Sequence, residues 1–411
     1  MSGKGLPRGF RCLNCTFENL ALIQRRTFAT SPVLQKHGMK APSRHPSSSK
    51  KSIGAVPAFT PTSSPELDAL LTSMRNKIFL PAHLSRSQQD LIYQDKHQRE
   101  LTIEPVFAYI KGEKFKLEHI DPVKDVPAGA KGLLKAVALM EKEKDWDNLP
   151  SLLHGLNNAR RKIHGETLEK ITRKAGMAGR PDILLECARR VNHTKFTLSN
   201  PKVVAEMMHQ IQNKALKSGW EAKNTKQALA WAEVVSELLE DERHAGKRHI
   251  SGFEDVRVRP ELIGVLLQLS AVWATRFYDG EDRDGKVALY TERLLGSPAS
   301  ILPDPDRHDT HTMSTYLGYM VPVLHGMKLA QPILGVGSNP LGEKTLELES
   351  AIEAQRQRLL IKAPNSNNKE GYLRGLVVYA ELIGPGAKQV VSTARRHKSE
   401  AETETETQGV E

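Results

Sequence analysis

Residues 165–199 read GETLEKITRKAGMAGRPDILLECARRVNHTKFTLS, and the two apolar stripes in this stretch decide the fold class. Leu168, Ile171 and Ala175 fall three and four residues apart, and Ile183, Leu184, Cys187 and Val191 repeat that spacing after a break. This is the 3.6-residue period of amphipathic helices. The break is Ala178-Gly179-Arg180, where a residue without Cβ lets the chain reverse in a tight turn. The stretch therefore predicts two short antiparallel helices, each too small to bury its apolar face except against a neighbouring pair.

The same pattern extends in both directions. Upstream, Leu133, Leu134, Val137, Ala138 and Met140 form one stripe and Leu149, Leu152, Leu153 and Leu156 the next. A shift of thirty-five residues lays Leu149 on Leu184, Leu152 on Cys187 and Leu156 on Val191. Downstream, Asn200-Pro201 combines an N-cap with proline at the first helical position and opens the stripe Val203, Val204, Met207, Met208, Ile211. Helices are predicted over 224–241, 259–278, 284–296, 310–329, 342–361 and 370–384. The fold expected is all-α, an irregular α–α solenoid of antiparallel helical hairpins over 129–385. Before it, residues 66–128 form a small region whose helices cover about 65–79 and 85–98. β-rich runs at 101–110 and 115–120 flank Lys111-Gly112-Glu113-Lys114, so a small β-hairpin is expected near 101–120.

The 165–199 unit resembles a pentatricopeptide repeat in its length, its Ala178-Gly179-Arg180 turn and its second-helix spacing through Leu184, Cys187 and Val191. A weaker unit precedes it at about 130–164, and the later hairpins are longer and depart from the period. The resemblance implies a mitochondrial helical-hairpin protein associated with RNA. In that family a polar residue of the first helix and another at the repeat's end read bases, positions that fall here on Glu169 and Ser199. Glutamate stands where the family usually holds Asn, Ser or Thr, so the hairpin scaffold carries over and a base-reading code does not.

Charge must be located before it is used. The net +11 is uneven: residues 1–65 hold ten Lys or Arg against Glu18, leaving 49 bases and 47 acids for the rest. Basicity of the whole chain is thus no argument for nucleic-acid binding. The acid-poor leader, rich in Arg, Ser and Thr, has the composition of a mitochondrial presequence over 1–36, drawn inward by a membrane potential negative inside. Arg25-Arg26-Thr27-Phe28-Ala29-Thr30-Ser31 resembles a matrix processing site, with Arg26 and Phe28 as its key residues and the import and processing machinery as partners. A disordered basic tail is the plain alternative. Residues 37–65, full of Ser, Pro and Lys, read as a disordered linker, and 386–411, with its Glu/Thr run, as a disordered tail.

Within 129–220, seventeen Lys or Arg face nine Asp or Glu. The candidates for contact with RNA phosphate are Arg160, Arg161, Lys162, Arg173, Lys174, Arg180, Arg189 and Arg190. A solvated helical face with ordinary i,i+4 pairing explains the same residues equally well. Other chemistry fades on inspection. Cys12 and Cys15 form a C-x-x-C with nothing to complete a four-ligand zinc site, and Cys187 sits in an apolar stripe. Gly335-Val336-Gly337 with Gly342 lacks the context of a nucleotide loop, and His308 and His311 have no defined ligand set. No nucleophile motif is present, so no catalytic residue, cofactor or metal is expected. The apolar windows 262–274 and 316–337 are too short or too interrupted to span a membrane.

These readings converge on a non-enzymatic helical-repeat protein of the mitochondrial matrix, or one peripheral to the inner membrane. It would act in mitochondrial gene expression in association with RNA or the mitoribosome, and the groove of the solenoid would hold protein partners. The alternative is a protein-binding scaffold, such as a respiratory-complex assembly factor, with no hold on RNA.

Overall fold

The computed structural model describes residues 54–127, 129–245, 255–298, 300, 302, 309–335, 340–362 and 369–385. The presequence with Arg26 and Phe28, most of the 37–65 linker, Cys12, Cys15, His308, Gly337 and the 386–411 tail lie outside the described residues.

An extended strap at 54–64 leads into α1 (Pro65–Met74), a π-helical turn (Arg75–Phe79) and α2 (Leu80–His83). Next come α3 (Arg86–Tyr93) and α4 (Gln98–Ile103). Ser85 opens α3 with a reciprocal cap: its hydroxyl accepts from the Gln88 amide and the Gln88 side chain accepts from its own. Strands β1 (Phe107–Ile110) and β2 (Glu113–Lys116) pair antiparallel around Lys111-Gly112, both at positive φ. That is the two-residue hairpin geometry, with φ +89° at the glycine, where a side chain would be strained. The hairpin falls within the expected span, but 98–103 is helical, so the long β-rich run seen in the sequence begins only at Phe107.

The helical body follows as α5 (Gly129–Leu139), α6 (Leu149–Asn158), α7 (Gly165–Met177), α8 (Pro181–Arg189), the single turn α9 (Val191–Thr194), α10 (Pro201–Lys217), α11 (Ala222–Leu239) and α12 (Glu242–Ala245). It continues as α13 (Pro260–Phe277), α14 (Lys286–Leu295), α15 (Thr310–Leu334), α16 (Pro340–Lys362) and α17 (Lys369–Leu382). The architecture is all-α with one small β-hairpin. Consecutive helices form antiparallel pairs that stack in two rows. In one row α5, α7, α10, α13, α15 and α17 pack in succession. The other row runs through α6, α8, α11, α14 and α16, with Lys286 and Tyr290 of α14 both bonded to Glu233 of α11.

The stripes read from sequence are the buried ones. Leu149, Leu152, Leu156, Leu184, Cys187 and Val191 are all in the core, as are Val203, Val204, Met207, Met208 and Ile211. In α5 the buried face is Leu133, Ala136 and Val137, continued by Met140 just past its end, while Leu134 of the expected stripe is half-buried and Ala138 faces solvent. Helix α15 continues through Pro322, which surrenders one backbone hydrogen bond; packing on α13, α16 and α17 compensates for it. Among the described residues, no helix is long and apolar enough to cross a membrane.

Candidate nucleic-acid interface

The direction of each helix decides where the basic residues go. Helix α6 ends at Asn158, and the chain closes it with Arg160 at φ +55°, donating from the Arg160 amide to Asn157 and from the Arg161 amide to Leu156, both at 2.9 Å. Unpaired carbonyls give a helix C-terminus partial negative charge, so cations are favoured there. Helix α8, in the same row, ends in Arg189 and Arg190. Its continuation α9 lies against the end of α6: the Asn157 side chain donates to the Asn192 and His193 carbonyls at 3.3 and 2.9 Å, and the His154 and His193 rings are 5.1 Å apart. Arg160, Arg161, Lys162, Arg189 and Arg190 therefore share one end of the stacked hairpins.

The same end holds more cations than the sequence candidates. Arg161 lies against the start of α5, where Lys131 is exposed. Gly165 at the start of α7 faces the side chain of Asn200, the N-cap of α10, which brings the exposed Lys202 to this end. Lys195, exposed and left-handed at φ +56°, terminates α9 here as well. No periodicity marks Lys131, Lys195 or Lys202; only the stacking order collects them.

Arg160, Arg161, Lys162 and Arg189 are exposed, and among the described residues no carboxylate pairs with them. Arg190 holds Glu186 at 2.9 Å on the surface, and Glu166 adds an acid in the first turn of α7. The nearby imidazole of His154 is held below its ordinary pKa, first by burial and then by His193 and His83, so it adds no charge near neutrality.

Arg173, Lys174 and Arg180 lie toward the opposite end of α7, about 12 Å or more along its axis at 1.5 Å per residue. Arg180 is a latch there. Its guanidinium binds Asp182 at 2.9 Å, Asp147 at 2.8 Å and the Glu143 carbonyl, fixing the α7–α8 turn to the Glu143–Asn148 helical turn that precedes α6. Burial works against its charge, yet these carboxylates raise its pKa. Arg173 is paired with Glu169 at 2.8 Å, and Lys174 is exposed. Ser199, beside Asn200 at the basic end, is exposed and within hydrogen-bond distance of Thr197. The Lys214 ammonium donates to the Gly179 carbonyl at 3.3 Å, so this end is occupied by internal bonds.

Elsewhere, Cys187 is fully buried and its thiol is pushed far up by burial. Gly335 caps α15 in the left-handed conformation, and His311 is exposed.

Residues 44–381 match the protein family described as mitochondrial ribosomal protein mS27. The chain belongs to this family. It is similar to the small ribosomal subunit protein mS27 of Neurospora crassa, with 28% identity over 358 residues, covering 80% of this chain and 89% of that protein. Membership of the mS27 family makes it a mitochondrial helical protein and a mitoribosome-associated component of mitochondrial gene expression.

Proposed function

We propose that the chain is a non-enzymatic constituent of the mitochondrial small ribosomal subunit that contacts RNA phosphate through the end of the helical stack bearing Arg160, Arg161, Lys162, Arg189 and Arg190. The observation that carries this reading is the lack of a carboxylate partner for Arg160, Arg161, Lys162 and Arg189 among the described residues. Phosphates neutralise such cations while releasing condensed counterions, which gives affinity without sequence preference. Arg173 and Arg180, held by internal carboxylates, act in this reading as structural ties. The less basic rows of the stack contact protein.

The α7–α8 pair, with its turn at Gly179 and a thirty-five-residue offset to α6, supports a pentatricopeptide-like origin for the hairpins. Glu169 is committed to Arg173, which agrees with a scaffold use of the repeat rather than base reading. The acid-poor leader directs the chain to the matrix, with cleavage near Arg26 and Phe28.

The test is binding of the purified full chain to mitochondrial small-subunit ribosomal RNA across a salt series. Changing Arg160, Arg161 and Lys162 together to Glu lowers affinity and flattens the plot of log affinity against log salt by about 2 to 3, one phosphate per lost cation. An unchanged slope contradicts the reading.

A further inference from the structure

We propose that the outward face of the β1–β2 hairpin is a second RNA site, a stacking platform for single-stranded RNA built from Phe107 and Tyr109 with Lys111 and Lys114 beside them. The proposal deepens the ribosomal reading and rests on it for the class of partner. It uses a different part of the chain from the basic helix ends.

Strand geometry sends alternate side chains to opposite faces. The inward face is Ala108 and Phe115, both buried, with Ile110 half-buried. The register pairs Phe107 with Lys116 and Tyr109 with Lys114, so two rings and two cations alternate across the outward face. The turn adds Lys111. Tyr109 is 72% exposed and Phe107 40%, although aromatic rings on a two-stranded sheet ordinarily turn toward the core. The Lys114 ammonium sits 3.9 Å from the centre of the Phe107 ring. Among the described residues no carboxylate pairs with Lys111 or Lys114, while Lys116 holds Glu118 at 3.7 Å.

The platform is held rigidly from behind. Arg75 grips Glu113 through two bonds of 2.7 and 2.8 Å, donates to the Pro57 carbonyl at 3.0 Å and lies over the Phe115 ring at 5.0 Å. The ladder extends by a bond from the Leu117 amide to the Val106 carbonyl. Two exposed rings two residues apart on one strand, with Lys114 already over the Phe107 ring and no carboxylate on Lys111, suit a base stacked on Tyr109 and followed by phosphates. An apolar protein partner would leave Lys111 and Lys114 desolvated without a counter-charge.

The experiment measures binding of the full chain to a labelled oligouridylate and to an RNA duplex. Tyr109→Ala weakens oligouridylate binding about ten-fold, the loss of one stacked base, and leaves duplex binding unchanged. Tyr109→Phe keeps wild-type affinity because stacking uses the ring face. Thermal melting confirms that both variants fold, as expected for so exposed a side chain. Oligouridylate binding by Tyr109→Ala within two-fold of wild type overturns the proposal, and so does equal loss in Tyr109→Phe. Reduced assembly into mitoribosomes with unchanged oligouridylate binding also overturns it, in favour of a protein contact. Loss on reversing Arg160, Arg161 and Lys162 with no loss in Tyr109→Ala sinks this inference and leaves the ribosomal reading standing. The converse pattern supports the platform and removes the basic helix ends as the RNA contact.

Discussion

The Glu206 carboxylate and the Arg374 guanidinium meet as a fork, with bonds of 2.9 and 3.1 Å, across 168 positions of sequence. Glu206 is fully buried in α10 and also accepts from the Tyr319 hydroxyl of α15 at 2.9 Å and the Gln210 side chain at 2.8 Å. Arg173 of α7 approaches within 3.8 Å. Burial alone would raise the pKa of Glu206, but the Arg374 charge, with the hydrogen bonds from Arg374 and Gln210, holds it below the ordinary value. One carboxylate thus ties together four helices of the same row.

Arg374→Ala should destabilise the chain by about 3–5 kcal/mol, because it strands a buried charge. Glu206→Gln should cost less, since the freed Arg374 side chain is 26% exposed and reaches water. Urea unfolding midpoints check the order of the two. Equal or reversed losses would mean that Glu206 is satisfied without the fork.

This network also shows where the sequence stops being informative. The stripe Val203, Val204, Met207, Met208, Ile211 names a buried helix, yet Glu206 within it reads as a surface charge because Tyr319 and Arg374 lie more than a hundred residues away. The strap is similar. Thr60 and Ser63 belong to a Ser- and Pro-rich segment with the composition of a linker, and they are fixed by Asn148 and Asp145, with the Ser63 amide 2.8 Å from the carboxylate. Val56 is buried beside them. Periodicity did reveal the α7–α8 hairpin and its Gly179 turn, since those depend on neighbours in sequence. It could not assign the basic residues to ends. Arg173 and Arg160 look equivalent until the antiparallel course of α6 and α7 places them at opposite ends of the stack.

Close packing of α13 on α15 depends on Gly326. A Cβ there would meet the Gln268 backbone at 2.8 Å, and backbone cannot step aside. Gly326→Ala is expected to lower stability by about 1–3 kcal/mol. Gly342→Ala in α16, where nothing lies within 4 Å, should be neutral or stabilising by up to about 1 kcal/mol. Thermal denaturation of the pair measures the difference; two equal melting temperatures would refute the tight crossing.

Acid should weaken the core through His325, which is buried and accepts the Gln268 amide at 2.9 Å. Burial first, then Lys328, pushes its pKa down to about 4 from 6.5. The unfolded chain takes up the proton near 6.5 and the folded chain only near 4. Stability contributed by the neutral ring is therefore complete above pH 6.5 and is lost as pH falls toward 4, by up to about 3 kcal/mol. His209, pushed down to about 3 chiefly by burial, acts in the same direction. His325→Gln should flatten the slope of unfolding free energy between pH 6.5 and 4; an unaltered slope would show that the ring does not resist protonation.

The proposed contact of the basic helix ends with the ribosome is tested most directly by sedimentation of mitochondrial extract through a sucrose gradient, comparing the wild-type chain with one carrying Glu at 160, 161 and 162. Wild-type protein is predicted to travel with the small ribosomal subunit and to shift to light fractions after nuclease digestion, while the variant, folded by its melting curve, stays light throughout. A variant that still sediments fully with the subunit would contradict the assignment of Arg160, Arg161 and Lys162 as the RNA contact.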